Sequence, residues 1–288
     1  MARILAVGIA TLDIINSVDG YPAEDAEVRA LNQRLCRGGN ATNTLTLLSQ
    51  LGHQCHWAGV LSNDPDARHI EADLARHSID TSAVLRQDHG KVPTSYITHN
   101  LANGSRTIVH YRDLPEYPFS QFKQLDLRQF DWLHFEGRNV PETHQMLSWA
   151  RQQAPNLPRS LEIEKEREGI DELFPLADML LFSRPFALGR GHDQPLSLLH
   201  AVHPCCLDAQ LICTWGEAGA SALSRAGEYH SPTFPPNQVI DTLGAGDTFN
   251  AGMIDARVKG LDLAEALDRA CHLAGRKCGH QGLDFLCP

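Results

Sequence analysis

The sequence predicts an α/β fold, a doubly wound and mostly parallel sheet with helices on both faces and a small β-sheet lid. Three observations point to it. Short apolar runs of the kind that form strands buried on both faces alternate along the chain with helical stretches. Two stretches in the N-terminal part break this alternation with half-polar strands. Most of the apolar runs also end in polar residues, at the place where open α/β sheets bind ligands. With 288 residues, 42% of them hydrophobic, the chain can bury a full core as one large α/β domain or two smaller ones. It shows no internal repeat and no inter-domain linker.

The first apolar run, residues 3–10, reads as a central strand that delivers Asp13 just beyond its end. From residue 14 to 35 the pattern loosens. It resumes as a hairpin between residues 93 and 111, whose strands flank the turn signal Asn103-Gly104. The two segments, about 14–36 and 91–113, are read together as the lid. Between them, Arg37-Gly38-Gly39-Asn40-Ala41-Thr42-Asn43 opens a helix that runs to Leu51 and closes at Gly52. Residues 56–60, 131–136, 160–164, 179–182 and 211–215 then read as strands, and residues 67–77 and 141–151 as helices. Asp262 with Glu265 makes a capping box for the last long helix.

Composition excludes several classes of function. A formal net charge of −10 argues against nucleic acid, whose backbone needs clustered Lys and Arg. If an acidic chain binds a polyphosphate, its few cations must be placed locally, which draws attention to Arg37, Arg106, Arg138 and Lys165. Eight cysteines without a CxxC pair, and no signal peptide, predict reduced thiols in a cytoplasm. No apolar run approaches the ~20 residues of a membrane span. Fifteen histidines show no metal-ligand spacing, and His53, His56, His69 and His77 read as surface residues.

The richest stretch is Asp241-Thr242-Leu243-Gly244-Ala245-Gly246-Asp247. The glycine turn precedes an amphipathic run, with Phe249, Met253, Ile254 and Val258 at helical spacing up to Gly260. It therefore sits at a helix N-terminus, where free N–H groups and the positive end of the dipole favour an anion. The stretch is neither a Walker A loop nor a dinucleotide fingerprint. Asp247 beside such a nest has two readings. It is an N-cap, or it is a general base aimed at a hydroxyl that attacks a bound phosphoryl group. Asn40 and Asn43 share one helical face and offer carboxamides suited to a hydroxyl-rich ligand.

Taken together, the Gly-Gly-Asn segment and Asp-Thr-Leu-Gly-Ala-Gly-Asp resemble the ribokinase-like (PfkB) carbohydrate kinases. The likeness runs from Arg3 to about Gly282 and is strongest to the ketohexokinase branch, the fructose 1-kinases. Cys36-Arg37-Gly38-Gly39-Asn40, Asn103-Gly104-Ser105-Arg106, Glu136-Gly137-Arg138-Asn139 and Lys277-Cys278-Gly279-His280 carry it. It implies a single kinase domain over residues 1–288 that moves the γ-phosphoryl of ATP to a ketohexose hydroxyl, with Mg2+ and room for a monovalent cation such as K+. Asp247 then matches the base, and Gly244, Ala245 and Gly246 match the anion hole. Asp13, Gly39, Asn40, Asn43, Arg106 and Arg138 match sugar or phosphate contacts. Ser183, Trp215, Gly216, Glu217, Gly219 and Cys278 match the nucleotide side. The family's Asn-x-x-Glu motif is absent, with Ser183-Arg184-Pro185-Phe186 in its place. Glu162 and Glu164 are left as candidates to act on magnesium through water. The resemblance also implies a homodimer formed through the lids.

Overall fold

The computed structural model describes residues 1–286. Its central sheet has eight strands. From one edge they are β4 (Gln54–Ala58), β1 (Arg3–Val7), β9 (Trp132–Glu136), β10 (Arg159–Ile163), β11 (Met179–Phe182), β12 (Gln210–Thr214), β13 (Ala220–Ser224) and β14 (Gly227–Ser231). The first six run parallel, and the last two add by antiparallel pairing, β13 against β12 and β14 against β13. Parallel strands are covered on both faces, and Ile4, Leu5 and Ala6 of β1 are fully buried. The sequence drops hydrophobic alternation here for the same reason. β10 looks alternating as Ser-Leu-Glu-Ile, yet all five of its residues are buried. The register sets Glu136 opposite Glu162 at the C-terminal ends of β9 and β10.

Eight α-helices complete the described residues: α1 (Asn40–Gln50), α2 (Ala67–Arg76), α3 (Phe119–Phe122), α4 (Val140–Gln153), α5 (Arg184–Gly189), α6 (Pro195–Val202), α7 (Ala245–Val258) and α8 (Leu263–Cys278). Helices α7 and α8 pack closely because Gly252 lies against Ala270, whose Cα would stand 2.8 Å from any Cβ at that position. The Asp262 and Glu265 capping box starts α8 as its sequence predicts.

A second sheet of four strands stands apart from the core. Its strands are β2 (Thr11–Val18), β3 (Asn32–Gly38), β7 (Thr94–Asn100) and β8 (Arg106–Tyr111), in the order β3-β2-β7-β8. β2 begins at Thr11, so Asp13 lies just beyond β1 as the sequence suggested, but inside a strand of the second sheet. The chain turns sharply after Val7 and its apolar residues continue into the second sheet. A further two-stranded ladder, β5 (Val60–Ser62) with β6 (Leu85–Gln87), has no clear signal in so short a run.

His53 corrects another expectation. It is buried, its Nδ1 accepting from the Ala2 amide at 3.2 Å and its Nε2 meeting Asp255 Oδ1 at 2.9 Å. A polar neighbourhood in the sequence hid a partner 202 residues away on α7. His69 is exposed, while His56 and His77 are half-buried. The seven described cysteines are all free. No helix among the described residues is long and apolar enough to cross a membrane.

Candidate active site

The parallel strands end at a cavity of about 670 Å³, lined also by the second sheet, α1 and the start of α7. Helix α7 is capped by Gly244 in the left-handed region, at φ 78°. A Cβ there would also crowd Leu283, at 2.8 Å from its Cδ2, so glycine is required for both reasons. No side chain caps this helix. Among the described residues nothing accepts from the N–H groups of Gly246 or Asp247, which leaves the N-terminus open for an anion.

Asp247 is the third helical residue, one turn in from the position a cap would hold, and its side chain makes no capping bond. The N-cap reading therefore falls. Its carboxylate is buried and accepts a hydrogen bond from Asn43 Nδ2 at 2.7 Å. Burial pushes its pKa up to about 7, against the hydrogen bond from Asn43, with the charges of Glu136 and Glu164 adding to the rise.

Helix α1 brings the two asparagines to the same cavity. Its cap is Gly39, at φ 104°, where any Cβ would run into the Ile9 carbonyl. The Ala41 amide donates to Glu136 Oε1 at 2.8 Å, so a carboxylate from β9 closes the helix N-terminus. Asn40 Nδ2 donates to Glu162 Oε1 at 3.1 Å and Glu164 Oε2 at 3.2 Å. Burial raises Glu136 to about 7 and Glu162 well above the usual carboxylate range. Glu162 Oε2 is buried without a hydrogen-bond partner and belongs to a residue lining the cavity. Among the described residues no three His, Cys, Asp or Glu side chains are grouped so as to hold a metal ion by themselves.

From the second sheet, Asp13 lines the cavity and accepts from Thr11 Oγ1 at 2.9 Å, beside Gly38, where a side chain would strike its carboxylate. Burial raises the Asp13 pKa. Arg106 is exposed and lines the same space. Arg138 also does, paired with Glu116 at 3.1 Å and Glu136 at 3.6 Å. Ser183 lines the cavity while capping α5, with Phe186 N donating to its Oγ at 3.1 Å.

Not every expected residue reaches this space. The lining includes Thr214 but not Trp215, Gly216, Glu217 or Gly219. Trp215 instead stacks under Arg184, and Gly219, at φ 85°, is held where a Cβ would collide with the Ser231 carbonyl. Cys278 also lies outside the lining, its carbonyl accepting from Ile240 and Asp241 N–H at 2.8 and 3.2 Å. Two roles carry no local signal in the sequence. Glu136 acts as the cap of a helix 95 residues away, and Asp73 is the ion-pair partner of Arg37 at 2.5 Å.

A family model described as pfkB family carbohydrate kinase matches residues 1–288. The chain belongs to that family. It is an ATP-dependent carbohydrate kinase. The kinase is 43% identical to a mouse ketohexokinase, over 98% of each chain. A Bacillus subtilis ribokinase is 25% identical over 98% of this chain and 96% of its own. The fold matches an Arabidopsis thaliana ribokinase solved with ribose and ATP, with a TM-score of 0.80 at 18% identity, covering 98% of this chain and 94% of that one. A Methanocaldococcus jannaschii nucleoside kinase gives a TM-score of 0.78 at 21% identity, over 100% and 95% of the two chains.

Proposed function

We propose that this kinase phosphorylates a ketohexose, with fructose as the substrate and its 1-hydroxyl as the acceptor. The observation that carries the chemistry is a buried carboxylate, Asp247, held by Asn43 beside an open glycine-led helix N-terminus. The 43% identity to a ketohexokinase supports the substrate.

In this reading the sugar lies against Asp13, Gly39, Asn40 and Asn43, and its hydroxyl oxygen attacks the γ-phosphorus of ATP. The new O–P bond forms as the bond to the bridging oxygen breaks, and ADP leaves with that electron pair. Asp247 accepts the hydroxyl proton. A carboxyl titrating near 7 is ionised often enough to act as a base and holds the proton once taken. The open N–H groups at the Gly244-Ala245-Gly246 turn, Gly246 foremost, face the charge that develops on the transferring group, while the Ala245 N–H expected among them is taken by the Thr242 carbonyl at 3.2 Å. The second sheet acts as a lid that carries Arg106 over the phosphates and excludes water. Ser183, the 215–219 turn and Cys278 form the nucleotide side, adjoining the cavity through Thr214 and Asp241.

Magnesium neutralises polyphosphate charge when bound. The donor set here fits a metal that arrives on the phosphates, since no cluster among the described residues would hold it alone. Glu162, with its unpartnered Oε2, and Glu164 would accept hydrogen bonds from its water.

The lid is also the surface we assign to a homodimer. Tyr96, Ile108, Val109 and Tyr111 are 46%, 52%, 66% and 49% exposed, an apolar load that a four-stranded sheet does not leave in water without cause. Light scattering at micromolar concentration should give the mass of two chains; a monomer would contradict the assignment. For the substrate, a coupled ADP-release assay against fructose, other ketoses, ribose and nucleosides should rank fructose first by kcat/KM. Preference for ribose or a nucleoside would place the chain elsewhere in its family, and binding without turnover would make it a sensor.

A further inference from the structure

Behind Asn43 lies a buried cation. The Arg37 side chain is 2% exposed, and its guanidinium meets four acceptors. Nε reaches Asp73 Oδ2 at 2.5 Å and Nη2 reaches Thr46 Oγ1 at 2.7 Å. Nη1 donates to Thr42 Oγ1 at 2.9 Å and to Asn43 Oδ1 at 2.8 Å. A guanidinium is a rigid fork of donors with no acceptor. Asn43 can therefore offer it only oxygen, and the amide nitrogen must face the other way. There it donates to Asp247 Oδ2 at 2.7 Å. A flipped carboxamide would set N–H against a cation and oxygen against a carboxylate. Its two charged neighbours thus decide an orientation that is otherwise two-fold ambiguous.

The anchor is itself held. Asp73 on α2 also bonds Arg76 at 2.7 Å, and Asp284 joins Arg76 and His77, each at 2.6 Å. The cation behind Asn43 is thereby tied to β3, α2 and the C-terminal segment together.

We propose that Arg37, held by Asp73, is a positioning residue that fixes the Asn43 carboxamide so that Asn43 holds Asp247 in place for the reaction. This rests on Asp247 being the base. It also deepens the sugar reading, because one Asn43 N–H is taken by Asp247 and only the other is left. That remaining N–H would donate to a sugar hydroxyl oxygen.

The test is a double-mutant cycle of Arg37→Met and Asn43→Ala, reading kcat and both KM values on samples that melt above the assay temperature. Asn43→Ala should lower kcat by about 10²-fold and Arg37→Met by nearly as much, with the KM for ATP unchanged within about twofold. The double variant should lie within about threefold of Asn43→Ala alone, since residues acting as one unit are not additive. Arg37→Lys should recover part of the loss, because an ammonium still favours the amide oxygen. Losses that multiply in the double variant would overturn the proposal, as that is the behaviour of an arginine that merely supports the fold. Removing one member of a buried pair is strongly destabilising. If Arg37→Met does not fold, Arg37→Met with Asp73→Leu, which removes both charges, takes its place in the cycle. An Asp247→Asn sample separates the two levels of the argument. Wild-type turnover there removes the base and this proposal with it, whereas an inactive Asp247→Asn beside multiplicative losses removes only the role of Arg37.

Discussion

Helix α1 starts at Gly39 and helix α7 at Gly244, both glycines with positive φ, at 104° and 78°, and neither cap has a side chain to satisfy the first N–H groups. At α1 the protein supplies an anion of its own, the Glu136 carboxylate on Ala41 N–H. At α7 the described residues supply none. Two similar N-terminal fields thus end in opposite states. The closed one fixes the helix that carries Asn40 and Asn43. The open one leaves donors unpaired, and its first turn carries Asp247, the carboxylate proposed above as the base. A glycine-led helix start is therefore not by itself a phosphate site. What decides is whether a carboxylate from elsewhere in the fold has already filled it.

The largest effect should come from breaking the open side. Asp247→Asn preserves shape and the contact with Asn43 but removes the proton acceptor, so turnover at saturating sugar should fall by about 10²–10⁴-fold. The unliganded protein should melt higher at neutral pH, because a buried charge is gone. Wild-type turnover in a folded sample would leave the two helix starts without any functional difference. Next in size is Gly246→Ala. Beyond its chain neighbours and its own helical backbone, no atom among the described residues lies within 4 Å of a Cβ at Gly246, so the fold should tolerate the methyl and gain up to about 0.5–1 kcal/mol from the stiffer unfolded chain. The methyl would project into the space assigned to the phosphoryl group. Turnover should fall by about tenfold or more while the melting temperature holds or rises, and unchanged kinetics would contradict an anion site there.

These two forecasts rest on geometry that only partly shows in the sequence. The alternation of strands and helices was legible because parallel strands must be apolar on both faces, and the Asn40 and Gly244 turns because glycines mark them. Whether Asp247 capped its helix was not legible, since three residues of register separate the cap, Gly244, from Asp247 and no local pattern fixes where the helix begins. That Asp13 belongs to a strand of the second sheet was not legible, because its apolar lead-in continues from one sheet into another. The roles of Glu136 and Asp73 and the burial of His53 depend on partners far off in the chain, which no local pattern reports.

The closed side makes a smaller, pH-dependent forecast. Burial raises Glu136 to about 7, so between its ordinary value and 7 the folded state binds more protons than the unfolded one. Stability from this group is present at low pH and is lost as pH rises through that window. Glu162 and Asp247, raised for the same reason, act in the same direction. The unliganded protein should therefore lose melting temperature between about pH 5 and 8. Glu136→Gln keeps an acceptor for Ala41 N–H and should flatten the slope. An identical slope in that variant would mean that the α1 start is not held by a titrating carboxylate.

The smallest effect on the fold is expected in the lid. Arg106→Ala removes an exposed side chain and should shift stability by no more than about 0.5 kcal/mol, while turnover falls about tenfold if the arginine reaches the phosphates. Equal loss in both readouts would make Arg106 a structural residue.

The most direct test of the whole account is the product itself. Incubating the kinase with ATP, magnesium and fructose and recording phosphorus and carbon NMR spectra should give fructose 1-phosphate, with the phosphorus coupled to C1. Phosphate on the 6-hydroxyl, or no phosphorylated product from any ketose, would contradict the account.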